Sequence, residues 1–289
     1  MPQTYKFLTV EDARDAAINE TIGSSSSSLT ALQDKALTRQ IDQINRQFII
    51  EGHIRHPSSG WSWMEDTTIF QTKNNTTLNG AITTSTTTVI LTSGTDFDSS
   101  GRIWIRESGT GSIDFVDYTG KSTHNLTGAT NIDISHADDQ KVEKAYAIPS
   151  DMAKVIRMIV DSQEYFPTRE SHLLPTGGHY DHQGSYFVMP ENIGTKDVSL
   201  WYQKSPLDLY TSTASTDNTA TDLAKSIDVP DSFFRYVVEY LKAYIWNVRR
   251  REEKIGVALD LAEAELSRAL SYDITEAVNS GLTPSFNGN

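Results

Sequence analysis

Apolar residues recur at helical spacing near both ends of this chain, and a Thr/Ser/Gly-rich region of short β-branched runs separates them. A helix must bury its apolar stripe against another element. Two stretches so far apart in sequence are therefore expected to meet in one core, with the β region carried between them. In the second helical stretch Leu37, Ile41, Ile44 and Phe48 share one face, and Asp34, Arg39, Asp42, Asn45 and Arg46 turn outward. Near the other end Phe233, Val237, Tyr240, Leu241, Tyr244 and Val248 form a stripe that Phe234, Val238 and Ile245 broaden. After Arg249-Arg250-Arg251, a last helix carries a narrower row of Ile255, Leu259, Ala262, Leu266 and Ala269.

Local signals set the boundaries. Thr9-Val10-Glu11-Asp12 places a hydroxyl cap before acids in a first turn, and Gly23 ends that helix. Ser24 to Ser28 reads as a linker, Thr30-Ala31-Leu32-Gln33 as a capping box, and Gly52 with Pro57 as the next stop. Val229-Pro230-Asp231 is read as the start of the penultimate helix, because proline fits a first helical turn. Between the helices, Thr88-Val89-Ile90-Leu91, Arg102-Ile103-Trp104-Ile105 and Ile113-Asp114-Phe115-Val116-Asp117-Tyr118 are strands separated by Gly-containing turns. Lys154–Val160 and Asp197–Tyr202 belong to a second β region, and residues 211–220 form a polar loop.

The expected class is α+β: a discontinuous helical bundle from the N- and C-terminal helices, with an inserted antiparallel β region. Residues 1–60 supply the first bundle helices and 61–228 the β region, within which 76–142 is an inserted β-module. Residues 229–276 supply the closing helices and 277–289 an extended docking tail.

A formal charge of −13 over 289 residues disfavours tight non-specific binding to nucleic acid. It suits a surface past which DNA slides without sticking. The absence of cysteine excludes disulfides, thiolate metal sites and cysteine nucleophiles. Met1-Pro2-Gln3-Thr4-Tyr5-Lys6 has no basic start followed by an apolar run, so no signal peptide is expected. No apolar stretch approaches the roughly 20 residues that span a bilayer, so no membrane partner is expected. The sequons at Asn19, Asn75 and Asn125 carry no weight without a route to a glycosylating compartment.

Signals for chemistry are sparse. His172 with His179-Tyr180-Asp181-His182 offers metal-type ligands, but the spacing matches no zinc motif and the segment is Gly-rich. Exposed loop histidines are the favoured reading, and neither metal nor cofactor is expected. Asp138-Asp139 beside His136 is weaker. Nucleophile-elbow, phosphate-loop and His-Glu-x-x-His motifs are absent. Arg249-Arg250-Arg251 is read as answering a helix dipole and pairing with Glu252 and Glu253, rather than as a phosphate site. Trp61 and Trp63 are read as anchors of a helix–sheet junction, and as partner-contact residues in that capacity.

Three features together resemble the head-to-tail adaptor (connector, or head-completion) proteins of tailed bacteriophages. One is the long helix leading from Phe48 to the pair Trp61 and Trp63, followed by a strand. Another is Val229-Pro230-Asp231 with the two helices from Phe233 to Ala269. The third runs from Thr77-Leu78-Asn79-Gly80-Ala81-Ile82 through Gly101-Arg102-Ile103-Trp104-Ile105 and Phe115-Val116-Asp117-Tyr118-Thr119-Gly120 to Leu126-Thr127-Gly128-Ala129-Thr130, and is similar to a β-unit recurring in phage virion proteins. The resemblance implies a non-enzymatic virion protein of the neck, made in the host cytoplasm. It implies a homo-oligomeric ring, commonly a dodecamer, bound to the portal protein and to tail or neck proteins, with double-stranded DNA passing through it. A terminal segment docks on the portal in that family, which points here to Leu282, Pro284, Phe286 and Asn289. Two other readings stay open. One is a tail-fibre or receptor/glycan-binding protein using Trp104 and Trp201; the other is a glycan hydrolase with paired carboxylates.

Overall fold

Thr9 caps the first helix. Its hydroxyl accepts from the Asp12 N–H at 3.2 Å, and its own N–H donates to the Asp12 carboxylate at 2.8 Å. Gly23, at φ 68°, closes that helix in the left-handed region glycine tolerates. The computed structural model describes residues 6–23, 31–55, 60–107, 112–168, 175–210 and 220–279. Within these the helices are α1 (Val10–Ile22), α2 (Ala31–Arg55), α3 (Ala220–Leu223), α4 (Phe234–Val248) and α5 (Glu252–Asn279). The chain is mixed α and β, with antiparallel and mixed sheets. It divides into two compact units: Met1–Glu65 with Gln203–Asn289, and Asp66–Tyr202.

The first unit holds all five helices and one core. Ala17 and Ile18 of α1, Ile41 and Phe48 of α2, Val237 and Leu241 of α4, and Ala262 and Leu266 of α5 belong to a single buried cluster. Helix α4 is buried on most of its circumference because α1, α2 and α5 all lie against it. Helix α5 touches it through a narrow row of Ala258, Ala262, Leu266 and Ala269, small side chains that allow a close approach. Leu259, expected in that row, is exposed, and so is Val248, which lies where α4 leaves the core.

Two other expectations change. Asn45 is fully buried rather than turned outward, because Asp228 supplies its polar partners. Val229 and Pro230 end a strand instead of opening a helix. Ser226–Pro230 runs antiparallel to Phe7–Thr9, with Phe7 opposite Pro230. Proline has no N–H to give a ladder and is tolerated at such an edge; Asp231 then donates its N–H to the Lys6 carbonyl at 2.8 Å. A 3-10 turn, Asp231–Phe233, intervenes before α4. At the other end α5 continues to Asn279, into the segment read as extended.

Charges bind the helices together. Arg14 of α1 is buried and donates to Asp34 of α2 at 3.0 Å. Glu20 of α1 receives Lys242 at 2.9 Å and also pairs with Arg235, both on α4. Glu239, fully buried on α4, lies against Lys242 and Arg235. A buried carboxylate is tolerated only when it is paired in this way.

The second unit contains two cores. One fills the β-module between a four-stranded sheet and a three-stranded sheet. In the strand Ile113–Tyr118, Asp114, Val116 and Tyr118 alternate inward. The pair Arg102 and Asp117 forms two parallel hydrogen bonds of 2.7 and 2.8 Å across neighbouring strands. Asp117 holds Arg102 above the ordinary guanidinium range, and Arg102 holds Asp117 below the ordinary carboxylate range. The other core lies on a seven-stranded sheet, in the order Tyr146–Ala147, Tyr186–Val188, His179–Gln183, Gln163–Pro167, Met152–Val160, Asp197–Lys204 and Glu65–Gln71. Met158, Val160, Phe187, Val198 and Leu200 fill it. One pairing in it, Phe166 opposite His179, is parallel.

Gly52 of α2 lies directly beneath Trp61, where an added Cβ would overlap the indole ring. Gly52→Ala is expected to lower the unfolding free energy by about 1–3 kcal/mol despite alanine's better helix propensity. The midpoint of urea unfolding measures it.

Candidate functional site

Five aromatic rings converge where α2 turns toward the sheet. Phe48 stacks on Trp61 at 4.8 Å, Trp61 on Trp63 at 4.7 Å, and Trp63 on Phe233 at 5.9 Å. Tyr272 of α5 meets Phe233 edge-on at 5.6 Å. The 3-10 turn Ser62–Met64 makes this possible, because it brings the two tryptophans, two residues apart, onto one stack. Each indole N–H has a backbone acceptor: Trp61 donates to the Phe48 carbonyl at 2.9 Å and Trp63 to the Asp228 carbonyl at 3.1 Å. Trp61 is fully buried and Trp63 is 9% exposed. Both rings anchor α2 at this elbow, and the Trp63 indole ties it to the strand Ser226–Pro230.

Polar groups frame this elbow. Asn45 donates to the Asp228 carboxylate at 2.8 Å and accepts the Asp228 N–H at 2.9 Å. The Leu207 N–H donates to the same carboxylate at 2.8 Å. Burial pushes Asp228 above the ordinary carboxylate range, against the pull of those donors. On the opposite side Asp273 of α5 accepts the Ser62 N–H at 3.2 Å and also the Ser62 hydroxyl. Glu65 follows the turn. Burial, and then the neighbouring Asp273, push its carboxyl up to about 7.

The remaining sequence candidates disperse. His172 lies outside the described residues. His179 and His182 sit three positions apart on one strand, so their side chains leave opposite faces. His182 packs on Tyr180 and Phe187, and burial holds its imidazole below the usual range. Asp138 receives the Gly80 N–H at 2.6 Å and does not serve His136. His136 is buried with its ring nitrogens 3.2 Å from Glu107 and 3.2 Å from Asp114. No group of three or more metal-type side chains among the described residues is arranged to hold a metal ion. Trp104 is buried, so it offers no platform for a sugar ring. Among the described residues, Arg249, Arg250 and Arg251 form no ion pair, and the expected pairing with Glu252 and Glu253 does not occur. Leu282, Pro284, Phe286 and Asn289 lie outside the described residues.

Sequence reading missed the Asn45–Asp228, Ser62–Asp273 and Glu107–His136–Asp114 groups because their members come from distant segments. One signal existed. Asp114 occupies an inward position of an alternating strand, and a buried carboxylate there requires a partner. No protein-family model matches the chain, and none of the curated proteins matches it. No helix among the described residues is long and apolar enough to cross a membrane.

Replacing Asn45 by leucine removes two of the hydrogen bonds to buried Asp228. Asn45→Leu is expected to cost about 2–3 kcal/mol in urea unfolding. It also removes a group that lowers Asp228. A carboxyl raised in the folded state contributes most below its ordinary value of 3.8, and that contribution is lost as pH rises. The variant should therefore lose stability more steeply above that pH than the parent.

Proposed function

We propose that this chain is a structural virion protein of a tailed bacteriophage: a ring adaptor that joins the portal to the tail and continues the DNA channel. The observation that carries the reading is the enclosure of one core by helices from both ends of the chain, α1 and α2 before the β region and α4 and α5 after it. In this reading those helices are the discontinuous bundle of the ring subunit, and residues 66–202 are the β-structure it bears. The sequence resemblance to head-to-tail adaptors supplies the rest: a homo-oligomeric ring, commonly a dodecamer, in the virion neck.

The portal protein is the first partner, reached through Leu282, Pro284, Phe286 and Asn289. Extended segments bind by edge pairing and side-chain pockets, which suits a terminal tail. Tail or neck proteins are the second partners. Ring subunits meet through heterologous contacts that close by rotation. The charge of −13 keeps double-stranded DNA mobile in the lumen rather than bound. The chain needs no cofactor and performs no catalysis in this role.

Mixing the purified chain with its cognate portal and imaging the particles by electron microscopy tests the proposal. A second ring stacked on the portal, with the portal's rotational symmetry, is the expected result. Deleting residues 281–289 should abolish that stacking and leave the folded chain intact. Bare portals with this chain left free in solution would overturn the adaptor reading and favour a fibre or glycan-binding role.

A further inference from the structure

The start of α5 and the turn before it carry charges that the chain itself does not answer. Arg249, Arg250 and Arg251 are exposed, and among the described residues their side chains make no hydrogen bond or ion pair. The same holds for Glu252, Glu253 and Asp260 on α5. Other arginines of this unit are taken up. Arg14, Arg46, Arg55, Arg235 and Arg268 each meet a carboxylate, and Arg39 lies 5.0 Å from the Tyr210 ring. Exposed apolar side chains accompany the unanswered charges: Val248 at 66%, Val257 at 60% and Leu261 at 47%. Val257 and Leu261 lie one turn apart on α5, outside the buried row of Ala258, Ala262 and Leu266. Gly256 is exposed on the same helix, and a Cβ added there would meet nothing. Glycine weakens a helix, and no contact within the chain requires it here.

We propose that this face, from Val248 to Leu261, pairs two copies of the chain about a two-fold axis. Charge decides between occupants. A phosphate backbone would meet the arginines but also Glu252, Glu253 and Asp260, which repel it. A face that bears unanswered charges of both signs is complementary to itself when a second copy is turned against it, residue i meeting j and j meeting i. With the two α5 helices antiparallel, the arginine turn of each copy lies against Asp260 of the other. Gly256 stands about midway between Arg250 and Asp260 in sequence, so it falls near the axis, where the absence of a side chain lets the backbones approach. Val257 and Leu261 are covered beside it. Arginine suits the contact because its guanidinium fork pairs with a carboxylate through two hydrogen bonds. Salt at about 0.15 M screens the overall charge of −13 beyond about 8 Å, which leaves the close pairs to decide.

This pairing belongs to the free chain and is separate from the heterologous contacts of the proposed ring, so it goes beyond the adaptor reading and does not depend on it. Sedimentation velocity of the purified full chain tests it without any portal. The parent should pass from monomer to dimer between about 1 and about 300 μM and stop there, as a closed two-fold contact requires. The combined substitution R249E/R250E/R251E should weaken the dimer about tenfold or more, and E253K/D260K should do the same. Mixing those two variants should restore a dimer with one copy of each. Gly256→Gln, which has room in the folded chain, should weaken the dimer about tenfold without lowering the urea midpoint. A parent that stays monomeric over that range, association that grows past a dimer, or a dimer undiminished by either the arginine reversal or Gly256→Gln would overturn the contact. Stacking on portals bears on the adaptor reading alone, so the two fail separately.

Discussion

Stacking of Phe48, Trp61, Trp63 and Phe233 is the interaction on which the first unit depends. These rings come from α2, from the turn after it, and from the turn before α4, so they join the two halves of a core divided in sequence by the whole second unit. Offset or tilted aromatic pairs add roughly 0.5–1.5 kcal/mol each beyond the area they bury. The geometry also imposes requirements on neighbours. Position 52 must be glycine-sized, and each indole N–H must find a carbonyl. Non-local contacts of this kind are costly to close during folding, because the intervening chain must be ordered before they contribute.

The polar groups around the stack fall into two kinds. Asn45 and Asp228 satisfy one another in a buried site, which fixes the strand Ser226–Pro230 against α2. Asp273 accepts both donors of Ser62, which ties α5 to the turn after α2. The first pair adds specificity to the core. The second holds α5 on the turn that carries the two tryptophans.

Helical periodicity made most of the first unit legible from sequence. The face of Leu37, Ile41, Ile44 and Phe48 is buried as the spacing requires, and the Thr9 cap and the Gly23 stop act as their residue types dictate. Errors arose where tertiary partners outrank local preference. Asn45 reads as a surface residue until Asp228 is placed beside it, and Val229-Pro230 reads as a helix start until Phe7–Thr9 pairs with it. The candidate site was less legible. The tryptophans stood out by type and spacing, but Ser62 and Asp273 are 211 residues apart, and nothing local links them.

The second unit leaves and rejoins the first along two strands, Glu65–Gln71 and Asp197–Lys204, which are hydrogen-bonded neighbours in one sheet. Paired strands lie about 4.8 Å apart, so the attachment points of everything between them are as close as the feet of a hairpin. Loop-closure entropy grows only with the logarithm of loop length. By that scaling, an insertion of more than a hundred residues costs about 3 kcal/mol more to close than a short turn of about four. Each further doubling of the insertion would add only about 0.6 kcal/mol, so the length of chain between the two strands is a weak constraint on closing the aromatic core.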